Sequence, residues 1–289
     1  MLAPFLIYTW VKTTLALLVN PWLTRSIKTG GDYTKEMLSL GIAGYSLIYF
    51  LVALIPVLVY IILNSKDKIM KCFCLVLYTF AGITIISSNF FIALICFGIS
   101  TVVAIFIYIF KSKNWIKLIV FVGIIAICLI LIDEIYVIVS DFVSRLSRDG
   151  QTAYRLSMME ESFWEGLYIE FKEDRWPTIL KSMEAFIERP ILGFFTTDMR
   201  YTDIYAVMGG HSHVFDSLAI WGIVIGCLNV YIMFYPFNKA CFKNGLSILS
   251  VPMLLTTIIL FGFNNATNSI SCIVYLLYPY ICITDKKVD

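Results

Sequence analysis

An all-α, polytopic integral membrane protein, with about eight transmembrane helices and a large extracytoplasmic helical loop, is what this sequence predicts. Three observations carry that prediction. The chain is 60% hydrophobic and only 15% charged, against about 25% charged in soluble domains, and its mean hydropathy is +0.84. Apolar runs long enough to cross about 30 Å of hydrocarbon, roughly 20 helical residues each, recur from one end to the other. Between them lysines gather in alternate short connections, as they do on the cytoplasmic side of membrane proteins.

Taken in order, the expected spans are approximately 2–20, 41–63, 70–87, 90–110, 116–138, 212–235, 246–262 and 269–283. Five belong to an N-terminal part, 1–140, and three to a C-terminal part, 211–289. Lys12 interrupts the first span. Gly41, Gly44 and Pro56 fall in the second, where close packing against neighbouring helices makes them tolerable. No signal peptide is expected ahead of a soluble body.

The short loops set the orientation. "NSKDKIMK" carries Lys66, Lys68 and Lys71; "KSKNWIK" carries Lys111, Lys113 and Lys117; "NKACFK" carries Lys239 and Lys243. The alternate loops "ISSN" (86–89) and "NNATNS" (264–269) hold neither lysine nor arginine. Both termini are therefore expected in the cytoplasm. The 20–40 segment, with Arg25, Lys28 and Lys35, then falls outside or dips into the membrane.

The remaining stretch, 141–210, is expected outside, and it is too long for a bare connector. Leu156, Met159, Phe163, Leu167 and Phe171 recur at helical steps, and a second helical pattern runs through Ile179, Met183, Phe186 and Ile187. The second helix should stop at Arg189, because the residue before Pro190 is pushed out of helical geometry. The result is a small helical cap on the outer face.

The net charge of +2 and the absence of a basic cluster outside short loops give no sign of nucleic-acid binding. The eight cysteines lie mostly in apolar runs as small hydrophobes; Cys72 and Cys74 form C-x-C, with no second pair or histidine to complete a zinc site. Chemistry-capable residues concentrate in the outer loop. It holds six arginines, Arg145, Arg148, Arg155, Arg175, Arg189 and Arg200, and two lysines, against twelve acidic residues. Guanidinium grips phosphate bidentately where ammonium cannot; alternatively, the arginines pair with the loop's carboxylates.

The chain's only two histidines stand in "GGHSHVFDSLAIWGIVIG", Gly209 to Gly226. Imidazole suits proton transfer near neutral pH. His211, His213 and Asp216 also make a weak three-ligand metal pattern. The plainer alternative is that Ser212 caps a helix start and Asp216 favours its positive end.

This stretch resembles the signature of the O-antigen polymerase and ligase superfamily, through His211, Ser212, Phe215, Leu218, Ala219, Gly222 and Gly226, and is most like the capsular repeat-unit polymerases of Gram-positive bacteria. "IERPILGFF" (187–195) resembles the element that precedes this histidine in the family, and "RLSRDGQTAYRLSMMEESFWEGL" resembles the start of its external loop. The three together cover roughly residues 140 to 230. The chain departs from the family in having fewer spans, in reading "ISSNFFIAL" where an "SR" pair is common, and in His213, where a serine is more usual.

The resemblance implies a metal-independent membrane glycosyltransferase in the bacterial cytoplasmic membrane, joining polyprenyl- (undecaprenyl-) diphosphate-linked repeat units into surface polysaccharide on the outer face. No cofactor is implied, and there is no D-x-D carboxylate pair near His211. On this reading His211 is the base. Arg148 and Arg155, with Arg145 and Arg189 behind them, stabilise the departing diphosphate; Ser212 and Asp216 orient an imidazole or cap the helix. Phe163, Trp164 and Trp176 suit the lipid interface. The partners expected are the lipid-linked glycan, the bilayer and other polysaccharide-export proteins, with no nucleic acid. Two other readings stand beside it: a flippase or transporter of lipid-linked sugars, and a truncated, non-catalytic polymerase remnant.

Overall fold

The computed structural model describes residues 2–20, 23, 32–88, 90–131, 133, 134, 137, 176–195, 212–237 and 248–264, and among these the regular structure is entirely helical. In chain order the helices are α1 (Leu2–Val19), α2 (Asp32–Ser39), α3 (Tyr45–Asn64), α4 (Lys68–Ser87), α5 (Phe91–Lys111), α6 (Trp115–Ile130), α7 (Trp176–Glu188), α8 (His213–Phe237) and α9 (Ser250–Phe263). The segments Tyr45–Asn64, Lys68–Ser87, Ile92–Lys111 and His213–Tyr235 are long and apolar enough to cross a membrane; Pro4–Val19, Trp115–Ile130 and Ser250–Phe263 are apolar but shorter. The expected span at 269–283 and the helix expected around Leu156 to Phe171 lie outside the described residues. The chain forms two compact units, Met1–Leu167 and Tyr168–Asp289.

In the first unit α3 is the central helix, packed on both α4 and α5. Its Ile48, Leu51, Val52, Ala53 and Ile55 are fully buried, as expected of a helix that is apolar all round. It begins at Tyr45 rather than near 41, because Gly41 takes a positive φ of 77° and the chain runs extended at Gly44. Asp67 caps α4 by accepting from the Ile69 amide at 2.9 Å, and Asn114 caps α6 by accepting from Lys117 at 3.1 Å. Both lysine-bearing loops thus end in a side-chain helix cap. The continuous run of α6 ends at Ile130, short of the expected 138. Asp133 and Glu134 follow, and carboxylates are costly in hydrocarbon.

A small polar seam joins α1 to α4. The Trp10 indole N–H donates to Thr84 Oγ1 at 2.9 Å, Thr14 and Thr84 share a hydrogen bond of 2.8 Å, and the Trp10 ring lies 5.0 Å from that of Phe80. Hydroxyls of this kind hold apolar helices together where hydrophobic association offers little. The lysine that interrupts the first span has a partner: Lys12 Nζ donates to the Leu40 carbonyl at 3.0 Å and lies 5.1 Å from the centre of the Tyr8 ring. Thr13 Oγ1 accepts from the Ala43 amide at 2.9 Å. After α2, then, the chain returns beside the middle of α1, and polar groups of both segments satisfy one another.

The second unit holds α7, α8 and α9. Although α8 is long enough to cross a membrane, it is not straight. Gly222 has φ 69° and ψ −175° and divides it into two arms. A Cβ on Gly226 would lie 2.7 Å from the Ser217 carbonyl oxygen and 2.9 Å from Leu218 Cα. In a straight helix those residues would be separated by about 12 Å or more along the axis. Asn229 Nδ2 also donates to Ser217 Oγ at 3.1 Å. The expected span at 212–235 is therefore a tight helical hairpin.

Candidate functional site

The site is assembled from α7, the loop that follows it, the first arm of α8 and the end of α9. Along α7 the buried residues are Thr178, Ile179, Ser182 and Ala185, three of them small and spaced to lie along one stripe. Small residues let another helix come close. Ala185 packs with Ala219 and Ile220, flanked by Phe186 and Phe194. As the proline geometry requires, α7 ends at Glu188.

The loop Arg189–Phe195 is stitched to the break in α8. Phe194 N donates to the Ala219 carbonyl at 3.1 Å, Phe195 N to that of Ile220 at 2.7 Å, and Ile223 N to that of Pro190 at 2.7 Å. A broken helix leaves carbonyls on one arm and amides on the other without helical partners. Here the loop supplies partners on both sides of the break. Gly193 (φ 68°) and Gly222 meet at the centre of this junction, where a Cβ on Gly193 would lie 2.5 Å from Gly222 N. Phe195 and Trp221 cover it with an edge-to-face contact at 5.8 Å.

At the other end of the first arm lies a buried polar group. Ser212 is the N-cap: its Oγ accepts from the Phe215 amide at 3.3 Å and reaches the Phe261 carbonyl at 3.5 Å. Asp216 is only 2% exposed. Its Oδ2 accepts from Ser212 N at 3.2 Å and its Oδ1 from Ser182 Oγ at 2.8 Å. The carboxylate closes the helix start in the manner of a capping box, one residue later than usual, and the helix dipole favours it there. His213 N donates to the Asn264 carbonyl at 3.2 Å, and the ring meets Phe261 edge-on at 5.1 Å. His213 is 5% exposed, and its Nε2 is buried without a hydrogen-bond partner among the described residues. An unsatisfied buried nitrogen costs about 1–3 kcal/mol.

Of the residues singled out from sequence, Ser212 and Asp216 sit together in this group. Arg189 is exposed at the start of the stitched loop, its guanidinium 4.5 Å from the centre of the Phe194 ring. His211, Arg145, Arg148 and Arg155 lie outside the described residues. Sequence reasoning missed Ser182 and Phe261 as parts of the site, while Gly193 stands in the singled-out stretch "IERPILGFF". The small-residue stripe through Thr178, Ser182 and Ala185 was the available signal for the first; nothing local marks the second. Among the described residues no group of three histidine, cysteine or carboxylate side chains is placed to hold a metal ion. Comparison with family models, curated proteins and solved structures finds no match.

Proposed function

We propose that this chain is a membrane glycosyltransferase that polymerises polyprenyl-diphosphate-linked oligosaccharide repeat units into capsular or O-antigen-like polysaccharide on the outer face of the bacterial cytoplasmic membrane. One observation carries the reading: two of the three motifs that resemble the polymerase superfamily interlock in space. "IERPILGFF" and "DSLAIWGIVIG" meet at Gly193 and Gly222 and share three backbone hydrogen bonds. Helices long and apolar enough to cross a bilayer suit a lipid-linked substrate.

In the proposed reaction an acceptor hydroxyl of one lipid-linked repeat attacks the anomeric carbon of the glycan on another. His211 takes the hydroxyl proton, the bond from the anomeric carbon to the phosphate oxygen breaks, and the polyprenyl diphosphate leaves with the electron pair. Arg148 and Arg155, supported by Arg145 and Arg189, stabilise the charge on the departing diphosphate. Ser212 and Asp216 hold the helix start immediately after His211.

The break at Gly222 favours one competing reading, since transporters build substrate sites from broken helices. In such sites the exposed backbone groups coordinate substrate. Here the Ala219 and Ile220 carbonyls and the Ile223 amide are bonded to the 190–195 loop, which favours the enzyme.

The test is complementation of a polymerase-null capsule strain with wild type, His211→Ala and Arg155→Ala, with membrane expression measured in parallel. A polysaccharide ladder from wild type that collapses to single repeats in both variants is the expected result. A well-expressed wild type that gives no ladder in its native background counts against the polymerase and for the transport or remnant reading.

A further inference from the structure

We propose that α8 does not carry the chain across the membrane: it is a re-entrant hairpin whose two arms begin and end, at His213 and Tyr235, on the same face. By length and apolar character alone, His213–Tyr235 is a membrane span. Its path within the protein is different. Ser217 bonds Asn229 at 3.1 Å, and Gly226 rests against the Ser217–Leu218 backbone. Further from the bend, one side chain touches both arms: Phe261 lies 5.1 Å from His213 and 6.2 Å from Phe234, ring centre to ring centre. Contacts near the bend and near the ends of both arms mean that the arms run side by side throughout, so that the chain leaves at the end where it arrived.

Non-helical backbone is tolerated at membrane depth only where protein buries and satisfies it. The bend meets that condition, through the carbonyl of Pro190 and the amides of Phe194 and Phe195. Gly222 itself is buried. The bend is therefore a built feature and not a helix awaiting straightening by lipid.

The consequence opposes the lysine pattern. The lysines that follow α8 in sequence, Lys239 and Lys243, support the expectation of a crossing there; a hairpin instead returns the chain at Tyr235 to the face on which His213 begins. Two lysines late in a chain bias orientation weakly, since the earliest helices usually dominate it.

Two measurements on the full chain decide the matter. Epitope tags inserted after Arg200 or after Lys243 are probed with an impermeant antibody on intact spheroplasts and after permeabilisation. The hairpin requires both tags to react alike; reaction of one only before permeabilisation overturns it. Independently, Ser217→Cys and Asn229→Cys are combined with Cys227→Ala and oxidised. The hairpin gives an intramolecular disulfide, recovered as a linked chymotryptic peptide, in most molecules. A straight helix separates these positions by about 18 Å, and absence of the linked peptide overturns the proposal even if tagging disturbs insertion.

Discussion

Gly193 and Gly222 stand so close that neither has room for a side chain. Both have positive φ, 68° and 69°, and a Cβ on Gly222 would overlap the Ile191 carbonyl oxygen. The positions are 29 residues apart in sequence, each a glycine of a different motif, yet the backbone at each fills the space a side chain at the other would need. Alanine at either site meets both the penalty of positive φ and a backbone overlap. Gly193→Ala and Gly222→Ala should each cost about 2–5 kcal/mol, read as loss of thermal stability in detergent. The double variant should cost clearly less than the two single effects added together, because one opened junction relieves both.

Asp216 couples three parts of the site. Asp216→Ala strands the Ser212 amide and leaves the Ser182 hydroxyl only its long 3.5 Å bond to the Thr178 carbonyl; it should destabilise by about 2–4 kcal/mol, since hydrogen bonds to charged groups contribute about 1.5–3 kcal/mol each. Ser182→Ala alone should cost about 1–2 kcal/mol, and a double-mutant cycle should return a coupling of about 1 kcal/mol or more. Additive effects would mean that the 2.8 Å bond between them contributes nothing.

The seam between α1 and α4 permits a test in which a second change repairs the first. Thr84→Val leaves the buried Trp10 indole N–H without its acceptor and should cost about 1–3 kcal/mol. Adding Trp10→Phe removes the stranded donor. The pair should recover part of the loss, because replacing both partners by apolar groups is often nearly neutral. Unfolding of the two variants in the same detergent compares them directly.

Arg189 is the one proposed diphosphate ligand among the described residues. Its guanidinium stacks on Phe194 at the surface of the stitched loop. Arg189→Ala should lower polymer synthesis in isolated membranes by about 100-fold, the lower end of the loss that follows removal of one charge-stabilising donor. Arg189→Lys should restore only part of it, since ammonium lacks the bidentate fork. Equal polymer yields from wild type and Arg189→Ala would remove Arg189 from the proposed mechanism.

Much of the helical order was legible. The apolar runs predict α3, α4 and α5 to within a few residues, and Arg189-Pro190 predicts the end of α7. The lysine loops also mark helix starts, at Asp67 and Asn114, through local capping chemistry. Lys12, by contrast, reads as a flaw in the first span because its acceptor, the Leu40 carbonyl, is 28 residues away. His213 and Asp216 are conspicuous in sequence as the ionisable groups at the start of an apolar run. Their surroundings are not, because Ser182 and Phe261 come from helices distant in sequence.

By itself, the sequence determined that this chain makes apolar helices, where most of them begin and end, and which stretches carry the imidazoles and arginines. These properties depend on composition, periodicity and near-neighbour caps, all of which act within a few residues. Only the tertiary structure decided that α8 reverses at Gly222 and that Asp216 is bound to Ser182. A glycine in an apolar run fits a straight helix as well as a bend. What selects the bend is the satisfaction of Ala219, Ile220 and Ile223 by a loop about 30 residues earlier, a condition no local pattern can express.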